Sequence, residues 1–222
     1  MADYLRRELA ELVEGRARDR LLARIRVVPM GLHVARYAVE RPRLSAGRPV
    51  ILAAGRLVPQ KGFDRLLRAA VGLDAALLVA GDGPERGRLK RLAADLGVEA
   101  RFLGSVPTTQ MPARFAEADV FAFASTRLHG REEGAPRVLL EAMASGLAIA
   151  ATATGGVGEL LRHEATALVD DGEGEGLAAN LRRLVADAAL RQRLGEAALR
   201  AALRYDWTEI APLMLRPFTE SA

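Results

Sequence analysis

From residue 50 onward, one pattern repeats: a short apolar run ending in a small residue or glycine, a loop, and an amphipathic stretch. The apolar runs are too short for helices and too uniformly apolar for half-exposed strands, so they predict strands buried on both faces of a parallel sheet. These runs are VILAAG (50–55), ALLVAGDG (76–83), RFLG (101–104), VFAFAS (120–125) and LAIAAT (147–152). Strands alternating with helices predict an α/β fold with a doubly wound, Rossmann-like parallel sheet.

The helices between these strands have recognisable ends. Gly97 and Gly146 follow amphipathic stretches and are predicted to terminate them, and Pro84 and Pro136 are predicted first-turn prolines. After TALVDD (166–171), apolar residues spaced three and four apart predict two more helices.

The first 45 residues have a different character. YLRRELAELV (4–13) predicts an amphipathic helix, and IRVVPMG (25–31) predicts a short strand ending in a Pro–Gly turn. We interpret residues 1–45 as the last helix and strand of an N-terminal domain with a linker, and residues 46–205 as a single Rossmann-like domain. Residues 206–222 are then a C-terminal helix, which we expect to be broken near Pro212.

The composition narrows the functional classes. The chain has 222 residues, 50% of them apolar, which suits one well-packed α/β domain with additional segments. It has no cysteine, and no apolar run approaches the roughly 20 residues that span a bilayer, so we expect a cytoplasmic protein. The net charge is +4, but the arginines are spread along the chain and aromatic residues make up only 5%, which disfavours nucleic-acid binding.

Ligands of open parallel sheets bind beyond the carboxyl ends of the strands, so residues that directly follow the predicted strands are the candidates. These are Gly55 and Arg56, Gly81 to Gly83, Gly104 and Ser105, Ser125 with the loop to Glu133, and Thr154 to Gly156. Their glycines suit a nucleotide crevice, although the sequence contains neither a G-x-G-x-x-G dinucleotide motif nor a Walker A motif.

Two cations flank the first predicted loop. Arg56 follows the strand directly, and Lys61 precedes the next helix, where a cation is locally unfavourable by roughly 0.3–1 kcal/mol. The pair could form a solvated basic loop, or it could bind a diphosphate. The strand-end position favours the phosphate site.

Two glutamates, Glu133 and Glu141, bracket the start of a helix in REEGAPRVLLEAM (131–143). Glu141 lies four residues after Arg137, so it could be a solvent-facing partner of that arginine. Alternatively, its two oxygens could accept hydrogen bonds from vicinal hydroxyls such as those of a ribose, with Glu133 facing a second polyol. Spacing alone does not decide between these possibilities.

Taken together, the motifs resemble glycosyltransferase family 4, whose members are retaining, nucleotide-sugar-dependent enzymes of the GT-B fold. The resemblance runs from about residue 25 to about residue 210. Its motifs are GRLVPQKGFDRLLRAA, LLVAGDGPERGRL, RFLGSV, ADVFAFAST, EGAPRVLLEAMASGLAIAATATGGVGELL and TALVDDGEGEGLAANL.

The resemblance implies a role for each matching residue. Arg56 and Lys61 would hold the donor diphosphate, Glu133 would contact the transferred sugar and be needed for turnover, and Glu141 would accept from the ribose hydroxyls. The catalytic set is thus Glu133, Arg56 and Lys61. The remaining donor-binding residues are backbone amides around Gly134, Ala135, Arg137 and Val138 at the helix N-terminus, and Gly81, Asp82 and Gly104 at the base.

Two features depart from the family pattern. Pro136 replaces a residue with an amide, which removes one donor near the phosphate or sugar. The resemblance also covers only the C-terminal, donor-binding half of a GT-B enzyme. It therefore implies an N-terminal acceptor domain outside this chain, and the isolated chain is expected to be inactive alone.

The sequence thus predicts the donor-binding domain of a retaining hexosyltransferase that uses a UDP-, GDP- or ADP-linked sugar and a hydroxyl acceptor. Neither a metal nor another cofactor is implied, and His129 is expected to be solvated. The full enzyme would serve exopolysaccharide or glycolipid synthesis, with peripheral association at the cytoplasmic membrane face. The alternatives are a non-catalytic nucleotide-sugar-binding module or one half of a split enzyme, and a nucleic-acid-binding surface.

Overall fold

The computed structural model describes residues 6, 9–38, 47–127, 136–170 and 176–219. Its centre is a six-stranded sheet in the order β3-β2-β1-β4-β5-β6, in which every neighbouring pair is parallel. The strands are β1 Val50–Ala54, β2 Ala76–Ala80, β3 Ala100–Gly104, β4 Val120–Phe123, β5 Ala148–Thr152 and β6 Leu168–Asp170. The predicted doubly wound sheet is therefore confirmed.

Helices connect the strands and cover both faces of the sheet. They are α1 Gly15–Arg24, α2 Phe63–Ala69, α3 Arg86–Asp95, α4 Met111–Ala116, α5 Arg137–Ala144, α6 Val157–Leu160, α7 Gly176–Ala186, α8 Ala188–Ala202 and α9 Trp207–Thr219. The two helices predicted after residue 171 are α7 and α8. None of the described helices combines the length and the apolar character needed to cross a bilayer.

The central strands explain why their sequences are apolar at every position. In β4, Phe121 and Phe123 join the hydrophobic cluster on one face of the sheet, whereas Val120 and Ala122 join the cluster on the other. β5 alternates in the same way and is buried at all five positions. Successive side chains of a strand point to opposite faces, so a strand covered on both sides loses the usual polar alternation.

The predicted helix ends are confirmed at the glycines. Gly97 and Gly146 have φ angles of 64° and 63° after α3 and α5. In each case the next amide donates back into the last turn, Val98 to the carbonyl of Ala93 and Leu147 to that of Ala142. This is the Schellman pattern, which satisfies carbonyls that a helix end would otherwise leave unpaired. The prolines lie slightly earlier than predicted, because α3 begins at residue 86 and Pro136 is the N-cap of α5.

Two expectations about the chain's two ends are corrected, and one further helix is found there. Residues 25–31 form no strand, because none of them pairs with a strand in the described segments. The next residue, Leu32, makes an isolated bridge with Asp206. Residues 15–24 form α1, which was not predicted. The helix α9 continues through Pro212, so it is not broken there. Pro212 lies in the second turn of this helix, where its missing N–H removes a single intrahelical bond.

The segment that follows α1 is fastened to the start of α9. The amide of Leu32 donates to the carbonyl of Tyr205 at 2.8 Å, and the amide of Trp207 donates to the carbonyl of Leu32 at 3.0 Å. The carboxylate of Asp206 accepts from the amide of Val34 at 2.9 Å. Tyr37 follows these fastened residues by three positions, and its side chain is almost completely buried.

Candidate functional site

A cleft of about 460 Å³ opens at the carboxyl ends of β1, β2 and β3, beside the N-terminus of α5. The strand order reverses direction between β1 and β4, the position at which open α/β sheets bind ligands. Its lining residues are Ala54, Gly55, Arg56, Lys61, Ala80, Gly81, Asp82, Ser105, Val106, Met111, Pro136, Arg137, Val138 and Glu141.

The two predicted cations both line this cleft. Arg56 is exposed and follows β1 after a single glycine, and Lys61 ends a 3₁₀ turn that leads into α2. The side chain of Lys61 lies over Gly55, so the loop folds back on the strand end. Two positive charges on one wall of a concave surface attract an anion, and the concave shape reduces solvent screening.

The structure places the N-terminus of α5 on the same cleft. Arg137 and Val138 are its first two residues, and the amides at the start of a helix have no intrahelical partner. The partial positive charge of the helix end therefore adds to that of the two side chains. Pro136 lines the cleft without an amide, as expected. Glu133, Gly134, Ala135 and His129 lie outside the described residues, so their predicted roles stay predictions.

Glu141 lies on the cleft side of α5, with only 6% of its surface exposed. Its Oε1 atom is 3.0 Å from the Nε of Arg137 and accepts a hydrogen bond of 3.0 Å from the Tyr37 hydroxyl. The Arg137 pair that spacing suggested does form, but Glu141 is not solvent-facing. Burial raises the pKa of Glu141, and the hydrogen bond from Tyr37 and the charge of Arg137 lower it in part.

At the other end of the cleft, Gly81 and Asp82 follow β2, and Ser105 follows β3. One Asp82 oxygen accepts from the amide of Gly83 at 2.7 Å, and the other pairs with Arg86 at 3.0 Å. Gly104 is not among the lining residues. Its carbonyl accepts a hydrogen bond from the amide of Gly81 at 2.7 Å, so it helps to position a residue that does line the cleft.

Sequence reasoning missed three contributors to the site. Val106 and Met111 supply apolar surface beyond β3, and neither carries a sequence signal that distinguishes it from core residues. Tyr37 lies in a segment interpreted as a linker, 104 residues before Glu141. The aromatic side chain of Tyr37 within that linker was the one available indication.

The cleft combines groups that can bind an anion with a carboxylate that can accept hydrogen bonds. Arg56, Lys61 and the start of α5 can bind a doubly charged anion such as a diphosphate. Glu141 can accept hydrogen bonds from hydroxyl groups a short distance away. Among the described residues, no group of three or more histidine, aspartate or glutamate side chains is arranged to hold a metal ion.

The profile of the family "Glycosyl transferases group 1" matches residues 38–201, most of the chain. The chain belongs to the group 1 glycosyltransferase family. Among curated proteins, a GDP-mannose-dependent alpha-(1-6)-phosphatidylinositol monomannoside mannosyltransferase of Mycobacterium tuberculosis is 38% identical over 167 residues. That alignment covers 68% of this chain and 43% of the mannosyltransferase, so this group 1 chain spans less than half the length of that relative.

Solved structures of glycosyltransferases share the fold. HepE from Anabaena, solved in complex with UDP, superposes with a TM-score of 0.79 at 22% identity, covering 92% of this chain and 60% of HepE. The C-terminal domain of the group 1 protein LpcC from Francisella tularensis gives a TM-score of 0.69 at 21% identity. In that comparison 79% of this group 1 chain is covered and 99% of the LpcC domain.

Proposed function

We propose that this chain is the donor-binding domain of a retaining glycosyltransferase that transfers a hexose from a nucleotide sugar to a hydroxyl acceptor. The observation that carries the proposal is that Arg56 and Lys61, from the loop after β1, line the same cleft at the topological switch point as the distant Glu141 of α5. Diphosphate and ribose are adjacent in every nucleotide sugar. The two cations can bind the diphosphate, and the buried carboxylate beside them can accept hydrogen bonds from the ribose.

The relatives support a nucleotide-sugar ligand of this kind. The mycobacterial relative is described as GDP-mannose-dependent, and HepE has been solved with UDP-glucose as well as with UDP. A rhizobial relative, 38% identical over 165 residues, is described as a lipopolysaccharide core biosynthesis glycosyltransferase. We therefore propose a role in glycolipid or polysaccharide synthesis, with the base and sugar drawn from the UDP, GDP or ADP series.

In the proposed reaction, the bond between the anomeric carbon and the diphosphate oxygen breaks, and a bond to the acceptor oxygen forms on the same face. The proton of the acceptor hydroxyl passes to the departing diphosphate. The departing diphosphate gains negative charge as its bond to the sugar breaks. Arg56, Lys61 and the α5 N-terminus would stabilise that charge, and such preorganised electrostatics are the main source of catalysis in many enzymes. No metal is assigned to this step. Glu133 is proposed to contact the transferred sugar.

The lengths of the relatives support a division of labour. The chain spans 43% of the mycobacterial enzyme, while it matches nearly the whole of the isolated LpcC C-terminal domain. We propose that an acceptor domain from elsewhere completes the enzyme, that this chain alone is inactive, and that the complete enzyme works at the cytoplasmic membrane face. The same lengths favour, as the second candidate, a non-catalytic binding module or one half of a split enzyme. Sugar transfer by the chain after a separately produced N-terminal acceptor domain is added would reject a non-catalytic module.

Replacing Arg56 with alanine is expected to weaken binding of UDP, GDP or ADP by about 1.5–3 kcal/mol, because a hydrogen bond to a charged group has this strength. Calorimetric titration of the chain with each diphosphate measures the change. Arg68→Ala, which removes an exposed arginine of α2 outside the cleft, is the matched control and should leave the affinity unchanged. If none of the three diphosphates binds the wild-type chain, or if both variants bind equally well, the proposed function is wrong.

A further inference from the structure

The Tyr37 hydroxyl is held rigidly in the core behind the cleft. Only 1% of the residue is exposed, and its ring packs edge-to-face on Phe115 with centroids 6.0 Å apart. Phe115 in turn packs on Phe121 of β4 at 5.8 Å. Burial and the neighbouring Glu141 raise the pKa of Tyr37, so the hydroxyl stays protonated and acts as a donor.

The acceptor of that hydroxyl is the predicted ribose-binding carboxylate. Tyr37 donates to the Oε1 of Glu141 at 3.0 Å, and the Nε of Arg137 lies 3.0 Å from the same oxygen. Both protein contacts therefore converge on Oε1, and within the described residues Oε2 has no protein hydrogen bond. The carboxylate of this cleft-lining residue therefore has one oxygen held by the protein, and its other oxygen has no partner among the described residues.

The two anchors of Oε1 differ in rigidity. The Arg137 side chain is 53% exposed, so it can move into solvent, whereas Tyr37 is enclosed. A mobile surface partner contributes little fixed geometry, because holding a long charged side chain costs conformational entropy. Tyr37 is additionally located by its own segment, since Val34 is bound to Asp206 and Leu32 to the α9 start.

We propose that Tyr37 is a positioning residue, which fixes the Glu141 carboxylate so that its second oxygen meets the ribose hydroxyls of the nucleotide. This inference rests on the proposed function and adds a residue from outside the predicted nucleotide-binding region. It gives the 32–37 segment a role in the site as well as in packing. Tyr37 does not touch the nucleotide itself and acts only through Glu141.

The test is Tyr37→Phe, which removes one oxygen and keeps the packed ring. We expect about a three- to tenfold loss of affinity for whichever of UDP, GDP and ADP binds best, the size of one hydrogen bond lost. Affinity for the 2′,3′-dideoxy analogue of that nucleotide should not change, because it has no hydroxyls for Glu141 to accept. An equal loss for both ligands, or no loss for either, overturns the proposal.

Two further measurements separate positioning from a general structural effect. In a Glu141→Ala background, which has no side-chain acceptor for Tyr37, the additional Tyr37→Phe change should have no effect on nucleotide affinity, since coupled residues are non-additive. Tyr205→Phe is the matched control, because the Tyr205 hydroxyl donates to the carbonyl of Glu159 at 3.4 Å, away from the cleft. That control should leave both affinities unchanged.

A measurement without ligand keeps the proposal distinct from the proposed function. In Tyr37→Phe the Glu141 carboxyl loses a donor, so its pKa should rise further, and carbon-13 NMR titration of the glutamate side chains reports this. If the wild-type chain binds no nucleotide, the proposed function fails and the ribose role fails with it. If nucleotides bind but the Glu141 titration is the same in both proteins, only the positioning role of Tyr37 is overturned.

Discussion

Replacing Glu141 with alanine is expected to weaken nucleoside diphosphate binding by about a hundredfold or more. Under the proposed function the carboxylate accepts from the two ribose hydroxyls, and two hydrogen bonds to a charged group together contribute about 3 kcal/mol or more. The affinity of the 2′,3′-dideoxy analogue should fall far less. Titration calorimetry of the variant with both ligands measures the difference. Equal losses for the two ligands would contradict the ribose assignment.

The ionised form of Glu141 is also expected to lower the stability of the folded chain. Burial raises the pKa of Glu141 more than Tyr37 and Arg137 lower it, so the folded state binds the proton more tightly than the unfolded chain. The stability contributed by this group is therefore fully present below its unfolded pKa, and it is lost as pH rises through its folded pKa. Above that pH the buried carboxylate is ionised at a cost.

Glutamine at position 141 removes the ionisation and keeps the side-chain size. At neutral pH we expect Glu141→Gln to unfold at the same temperature as the wild type or a higher one, despite its weaker nucleotide binding. Thermal unfolding followed by circular dichroism between pH 4 and pH 8 measures this, and the advantage of the variant should grow with pH. Glu196→Gln is the control, since its exposed pair with Arg200 contributes little. A glutamine variant clearly less stable than the wild type at neutral pH would show that the carboxylate stabilises the fold.

Much of the fold was predictable because the central strands are covered on both faces. Phe121 and Val120 pack into the hydrophobic clusters on opposite faces of the sheet, so β4 has apolar residues at every position. This pattern is typical of a parallel sheet and made the strand recognisable from sequence. The strand predicted at 25–31 failed for the complementary reason. A β-strand exists only through pairing, and apolar content in IRVV does not reveal whether a partner is present.

From residue patterns alone, the candidate site was predictable only where it depends on strand ends, and the family resemblance added Arg137, Val138 and Glu141. Arg56 and Asp82 follow β1 and β2, and the topology of a parallel sheet brings such residues to one edge. The burial of Glu141 could not be predicted, because the spacing from Arg137 fits a surface pair equally well. The contact with Tyr37 depends on a long-range arrangement with no local pattern.

The glycine after β2 has a structural cause within the protein, in addition to the nucleotide role predicted for such glycines. A Cβ atom added at Gly81 would lie 1.8 Å from the carbonyl oxygen of Gly55, so the close approach is between two loops of the protein. The loops after β1 and β2 are packed backbone against backbone, and this contact forms the floor of the cleft.

Replacing Gly81 with alanine is therefore expected to destabilise the chain by about 3 kcal/mol or more, combining an unfavourable backbone conformation with steric overlap. Gly81 has a φ angle of 146°, and the overlapping atoms belong to the backbone, so no side chain can move aside. Relief would require the ends of β1 and β2 to separate, which breaks the bond from the Gly55 amide to the carbonyl of Ala80. For a chain of this size, the midpoint of thermal unfolding should fall by about 6–12 °C.

The variant Gly72→Ala separates the cost of steric overlap from the cost of the unfavourable backbone conformation. Gly72 also has a positive φ angle, 73°, but nothing lies within 4 Å of an added Cβ. This substitution should lower the free energy of unfolding by only about 1–2 kcal/mol, the cost of placing an L-residue in this conformation. If the two variants unfold at the same temperature, the loop contact does not matter for stability. If Gly81→Ala is less stable and also binds nucleotide more weakly, whereas Gly72→Ala binds normally, the packing of the two loops sets the shape of the cleft as well as the stability of the sheet edge.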